Sequence, residues 1–256
     1  MSEPHKTRKR GGVKKPRHTR KEIQETNKIL DRVYKKVKTY EDLLQTNIEF
    51  LKGKLPGTWY YDARWGEGLD QKTHAVGDTT KTLLALHKKG IFTTGGQSAA
   101  CGKVEPTEDT RYYSESAGGV VEYEQRSNID GSLPVELAQK LLPILKKDKR
   151  IYVEVWYPKE EGNFTNVPYK LVAKGWPKQF NVTREKTEDG KWQEATNQYA
   201  DTTHKEHVDN FGPRKYPNIK KILREQAEIN VVLRKYCKGP EADKILLDAI
   251  NKLTAC

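Results

Sequence analysis

Three groups of residues carry side chains capable of chemistry. The run His204, Lys205, Glu206, His207, Val208, Asp209 sets two imidazoles beside two carboxylates. Those are zinc-ligand types, but the spacing is not His-Glu-x-x-His and no helical pattern surrounds it, so it reads as a solvated loop and no metal is assigned. Cys101, with His74 and His87 upstream, offers the parts of a thiol nucleophile and its base. Spacing does not bring them together and a small buried cysteine is the commoner case, so no catalytic residue is assigned. The third group lies in residues 82–97, TLLALHKKGIFTTGGQ. There Thr93, Thr94 and Gln97 close a short strand that Gly95 and Gly96 open to near approach. Two hydroxyls, an amide and backbone N–H groups can converge on an anionic or amide-bearing small molecule, with Arg126 as the facing cation. The chain has no phosphate loop, no Gly-x-Gly-x-x-Gly and no Gly-x-Ser-x-Gly elbow, which argues against energy-driven or dinucleotide chemistry, and no cofactor is expected.

Charge singles out a different region. The formal net charge is +12, and residues 1–20 hold eight Lys or Arg against Glu3 alone, so +7 sits in that arm and +5 in all the rest. The arm also carries Pro4, Gly11, Gly12 and Pro16, with Val13 its one sizeable aliphatic residue after Met1. Such a segment cannot bury enough to order itself. Lys6, Arg8, Lys9, Arg10, Lys14, Lys15, Arg17 and Arg20 are the candidate phosphate contacts, with nucleic acid the expected partner and acidic protein surfaces or import receptors the competitors. No apolar stretch of a signal peptide follows the basic start, and no apolar run is long enough for a membrane span, so a soluble chain with no membrane partner is expected. Cys101, Cys237 and Cys256 are odd in number and widely spaced. They predict neither zinc nor a disulfide framework, and hence an intracellular, reducing compartment: cytoplasm, nucleus or viral factory.

The elements that must position these groups follow from periodicity. Ile23, Leu30, Tyr34 and Val37 form one stripe of an amphipathic helix over 21–38. Thr39 and Asp42 make a capping box for a second helix carrying Leu43, Leu44, Ile48 and Leu51 inward until Gly53 and Pro56. A helix from about Thr79 to Lys89 can be capped by Asp78 and stopped by Gly90 before Ile91 and Phe92 start a strand. A single strand is predicted over 120–129, then a turn and cap at Gly131 and Ser132, and a helix with Leu137, Leu141, Leu142 and Leu145. Ile151, Val153 and Val155 alternate as a strand, and residues 169–173 give another. Residues 176–216 are irregular apart from one hairpin turning at Asp189 and Gly190. From Pro217 the pattern reads as helical again, broken at Gly239 and Pro240, which predicts a helical hairpin over 217–256, either packed on the domain or exposed as an association surface for protein partners. The expected architecture is α+β: a mixed sheet covered by helices in a core domain over 39–175, flanked by the disordered basic arm and the C-terminal hairpin.

Across 39–131 the chain resembles a small uncharacterised domain family of bacterial and large DNA virus proteins. The residues that carry it are Leu51 to Gly53, Pro56 and Gly57, Asp70 to Thr73, Leu84 to Gly90, Thr93, Thr94, Gln97, then Gln125, Arg126, Ser127 and Gly131. The chain departs from the family's Ser-Gln-Pro-Gly at residues 96–99, Gly-Gln-Ser-Ala. The resemblance implies no activity, and suits a virion or viral-factory protein. The leading expectation is a non-catalytic, nucleic-acid-associated or virion structural protein, with the arm on phosphates and the folded domain docking proteins. The alternative is an enzyme or small-molecule-binding domain using Thr93, Thr94, Gln97 and Arg126.

Overall fold

The computed structural model describes residues 20–56, 77–97, 99–103, 120–158, 169–171, 183–187, 189–194 and 216–254. Residues 1–19 of the arm, residues 57–76 and the His204 to Asp209 run lie outside them. Among the described residues there are six helices, α1 (Arg20–Tyr34), α2 (Tyr40–Leu51), α3 (Gly77–Lys88), α4 (Val135–Leu145), α5 (Pro217–Arg224) and α6 (Ala242–Thr254). Nine strands accompany them: β1 (Phe92–Gln97), β2 (Ala100–Lys103), β3 (Val120–Gln125), β4 (Asn128–Leu133), β5 (Ile151–Pro158), β6 (Tyr169–Leu171), β7 (Thr183–Thr187), β8 (Trp192–Glu194) and β9 (Ala227–Leu233). The class is α+β, as expected. The strands form not one mixed sheet but two antiparallel ones, in the orders β1-β4-β9-β5-β6 and β2-β3-β7-β8.

The C-terminal segment departs most from expectation. Residues 227–233 are not the second half of a helix in a hairpin; they are the central strand of the larger sheet, bonded to β4 on one edge and β5 on the other. Ile229, Val231 and Leu233 are β-branched or bulky at period two, which suits a pleated strand. Every residue of β9 except Asn230 is buried. A division of the chain at residue 175 therefore does not describe this fold, because the sheet is continuous only through β9.

Helices line the sheet through two apolar clusters. Ile129, Val153, Val155, Ile229 and Val231 share one face and pack with Leu86 of α3, Leu141 and Leu145 of α4, and Ile245 and Leu246 of α6. The second cluster joins Leu30 and Tyr34 of α1, Tyr40, Leu43 and Phe50 of α2, and Ile219 and Leu223 of α5 around Phe92. The capping box forms as predicted: Thr39 Oγ1 accepts from Asp42 N–H at 3.1 Å, and the Asp42 carboxylate accepts from Thr39 N–H at 3.1 Å. The Lys38 N–H, which donates to the same carboxylate at 2.9 Å, and the Thr39 N–H hold the Asp42 carboxyl below its ordinary range. The buried Tyr40 hydroxyl accepts from Phe92 N–H at 3.1 Å and donates toward the carbonyls of Ser132 and Gly90. That one group ties α2 to the sheet's edge.

Two other expectations change. The strand expected over 120–129 is broken at Arg126 and Ser127, so β3 and β4 belong to different sheets. Gly131 and Ser132 are strand residues rather than a turn and cap, because a Cβ at Gly131 would lie 3.0 Å from Ile91 Cγ2 and 3.1 Å from the Phe92 carbonyl oxygen. Glycine there permits β1 to close on β4. Gly90 does act as the helix stop, at φ +89°, and the hairpin turn at Asp189 and Gly190 joins β7 to β8.

Two measurements test this packing. Ile229→Ala should lower the unfolding free energy by about 2–5 kcal/mol, read by urea denaturation, since it opens a cavity where β9 meets both neighbours. His87, only 1 % exposed, is held neutral because burial pushes its pKa down to about 4. The unfolded chain takes up a proton near pH 6.5 that the folded ring refuses, so stability should fall between about pH 6.5 and 4 by roughly 2–3 kcal/mol, and His87→Gln should remove that part of the slope.

Candidate functional site

The four expected pocket residues do not line one cleft. Residues 93–97 form an edge strand, not a loop, with a bulge between Thr93 and Gly95. Thr93 is fully buried and shares a register row with Gly131, Ile229 and Val155, so it faces the apolar core, where its hydroxyl has no hydrogen-bond partner among the described residues. Thr94 falls at the bulge and is partly exposed. The Gln97 side chain lies outside the described set, although its backbone pairs with Asn128. Arg126 sits on the opposite face from Thr93, with its guanidinium over the Tyr236 and Tyr152 rings. The thiol reading is also corrected: Cys101 is exposed and bonded to Cys237, with Cα atoms 5.7 Å apart. It is neither a core residue nor a nucleophile. His87 lies instead between α2 and β1, bonded to Asn47 and to the Leu83 carbonyl. The paired cysteines do not accord with the reducing compartment expected from their number.

What the fold does bring together is a file of arginines and aromatic rings at the seam between the two sheets. Arg184 of β7 lies 4.7 Å from the Trp192 ring and 4.5 Å from Tyr236. Arg126 lies 4.0 Å from Tyr236 and 6.0 Å from Tyr152, and Arg234 lies 4.1 Å from Tyr152. The order is Trp192, Arg184, Tyr236, Arg126, Tyr152, Arg234, with ring and cation alternating throughout. A guanidinium is planar and weakly hydrated, so it sits on an aromatic face at little desolvation cost.

Local structure sets each rung. Antiparallel pairing places Glu124 opposite Arg184, and the carboxylate grips that guanidinium through Nε and Nη2. Arg234 Nε donates to the Ile151 carbonyl at 2.8 Å. Tyr236 is fixed by its neighbour Cys237, which is bonded to β2 through its sulfur and donates its N–H to the Gln125 carbonyl at 3.1 Å. Ser127 completes the corner: its carbonyl accepts from Leu233 N–H at 2.9 Å and its hydroxyl accepts from Ala242 N–H at 2.8 Å, where α6 begins.

Beside the seam, the face of the larger sheet turned away from the apolar core is polar. One register row runs Asp130, Asn230, Glu154 and the next Asn128, Val232, Tyr152. Oδ1 of Asn128, Asp130 and Asn230 are each buried with no hydrogen-bond partner among the described residues, and Asn128 Nδ2 reaches Asp130 Oδ2 at 3.4 Å. Burial pushes the Asp130 carboxyl up to about 7 and Glu154 up to about 8, the latter against a hydrogen bond from Trp156. Two carboxyls that exchange protons near neutrality are suited to proton transfer, though an ordinary polar sheet face produces the same shift. Among the described residues no group of three or more His, Cys, Asp or Glu could hold a metal ion.

The Asp130 shift fixes a sign. Its folded-state value lies above the ordinary 3.8, so the stability it contributes is present in full below about pH 4 and is lost as pH rises toward 7. Asp130→Asn should therefore match the parent near pH 4 and exceed it by roughly 1–3 kcal/mol at pH 8 in thermal or urea unfolding.

Compared with known proteins, the chain matches no family model and no curated protein.

Proposed function

We propose that this is a non-catalytic, nucleic-acid-associated protein, of the virion structural kind or similar, in which the basic arm supplies phosphate contacts and the folded domain holds it in place and docks other proteins. The observation that carries this reading is continuity of charge. The arm's eight cations run directly into α1, whose buried side, Leu30 and Tyr34, packs on α2 and α5. The outer side of α1 and the turn after it expose Lys21, Lys28, Arg32, Lys35, Lys36 and Lys38, against exposed Glu22 and Glu25. A solvated helix face needs only mixed charge; a surplus of cations beginning where the arm ends extends one phosphate-binding track. Tyr216 anchors that helix, its ring 5.0 Å from Tyr34 and its hydroxyl donating to Asp31.

No described helix is long and apolar enough to cross a membrane. Residence in the cytoplasm, nucleus or a viral factory belongs to the proposal, and it requires that Cys101 and Cys237 be reduced there or pair on packaging. The small-molecule alternative loses its basis in the pocket residues, since Thr93 and Arg126 occupy opposite faces of the sheet.

A salt titration tests the proposal. If ~4 to 6 arm cations displace counterions, log affinity for unrelated duplexes of equal length should fall with log salt at a slope of roughly −4 to −5 for the full chain. A chain starting at Lys21 should bind more weakly and with a shallower slope. Equal affinity for the two chains, or a slope near zero, would show that the arm serves another partner.

A further inference from the structure

We propose that the Cys101–Cys237 bond is a redox-operated latch on the seam: a thiol reductant opens it and frees residues 235–241, while both apolar clusters stay folded. This goes beyond the nucleic-acid reading and does not rest on it. Cys101 is exposed on β2, an edge strand of the smaller sheet, and access of this kind is what lets a thiolate attack a disulfide sulfur. It stands opposite Glu124, which stands opposite Arg184, so sulfur, carboxylate and guanidinium share one row of that sheet. Cys237 lies in the turn after β9 at φ +51°, the one positive φ of a non-glycine residue among the described residues. A side chain stays in that region only where its surroundings over-determine it. The bond to Cys101 and the N–H donated to the Gln125 carbonyl at 3.1 Å both hold it there. Tyr236, one residue earlier, carries its ring against both Arg126, at 4.0 Å, and Arg184, at 4.5 Å.

The reductant is a dithiol. One of its thiolates attacks Cys101 Sγ to form a mixed disulfide, and Cys237 Sγ leaves as a thiolate that takes up a proton. The second thiolate then attacks the reductant's own sulfur in the mixed disulfide, releasing Cys101, which is protonated in turn. Two electrons and two protons pass to the protein, the reductant ends as a disulfide, and an oxidised thiol reverses the exchange. What opens is bounded by anchors that this chemistry does not touch. Leu233 N–H on the Ser127 carbonyl and Ala242 N–H on the Ser127 hydroxyl pin the two ends of the segment. Neither cysteine belongs to an apolar cluster, and β9 keeps β4 and β5 on its edges. Without the sulfur tether the left-handed Cys237 relaxes, Tyr236 is no longer fixed against the two arginines, and the junction between the sheets loosens there. In a reducing compartment the latch stands open; in an oxidising one it closes.

The test uses the full chain with Cys256→Ser, which leaves these two thiols as the only ones, and follows amide hydrogen exchange by mass spectrometry with and without excess dithiothreitol. Reduction should speed exchange at Cys237, and over residues 235–241 as a whole, by roughly 10-fold or more, while residues 135–145 and 227–233 keep their protection. Trypsin cleavage after Lys235 and Lys238, both exposed, should speed likewise, since it tracks the population of the open form. Oxidised glutathione, added after the dithiothreitol is removed, should restore the slow pattern. Cys101→Ser should show the open pattern whether or not reductant is present; should that variant fail to fold, the reduced and oxidised parent chains still decide the matter. Unchanged exchange over 235–241 on reduction would show the bond to be inert, and an equal rise over 227–233 would show it to be a staple of the whole fold. Either result overturns the latch, as does failure of the two thiols to pair under oxidised glutathione. None of these outcomes bears on the arm's salt titration.

Discussion

Ala227–Leu233 satisfies its backbone on both edges, against β4 and β5, and its side chains are buried on both faces of the sheet. A strand with two partners has no polar backbone left to solvate, so its cost of ordering is met only when β1-β4 and β5-β6 are assembled around it. The sheet's two halves come from residues 92–133 and 151–171, and neither closes without a segment more than fifty residues further on. Such pairing places a long loop closure ahead of any gain in contact, which ties the packing of α3, α4 and α6 to the arrival of the C-terminal segment. The same segment brings Ile219 and Leu223 of α5 onto α1 and α2. Both apolar clusters therefore depend on residues 216–254.

The seam follows from that constraint. Because β4 is committed to β9, the chain leaving β3 must change sheets within two residues, and Arg126 and Ser127 occupy that corner. Ser127 is buried with both its polar groups occupied by Leu233 and Ala242 N–H, while Arg126 is left at the junction between sheets. A half-buried guanidinium needs company that tolerates charge, and aromatic faces provide it. Tyr152 comes from β5, Tyr236 from the turn after β9, and Arg184 and Trp192 from the β7–β8 hairpin. The file thus joins the larger sheet to the smaller one through non-covalent side-chain contacts, and the Cys101–Cys237 disulfide adds a covalent side-chain link between β2 and the turn after β9.

Much of this was legible locally, and the boundary of legibility is physical. The Thr39 and Asp42 box, the stop at Gly90, the alternation of Ile151, Val153 and Val155 and the turn at Asp189 and Gly190 each depend on contacts within a few residues, and each is present. β9 was misread because a strand buried on both faces loses the polar half of its alternation; Ile219, Ile222, Leu223, Ile229 and Leu233 then imitate a helical stripe. Gly131 resembled a turn because glycine has two uses, and close approach by Ile91 is visible only once β1 pairs with β4. The pocket reading failed on a question of facing. A strand's side chains alternate, and the sequence around Thr93 and Arg126 does not say which register joins them. The seam had almost no sequence signal, since its six members come from separate stretches of the chain; the pair Arg234 and Tyr236, two residues apart, is the single hint.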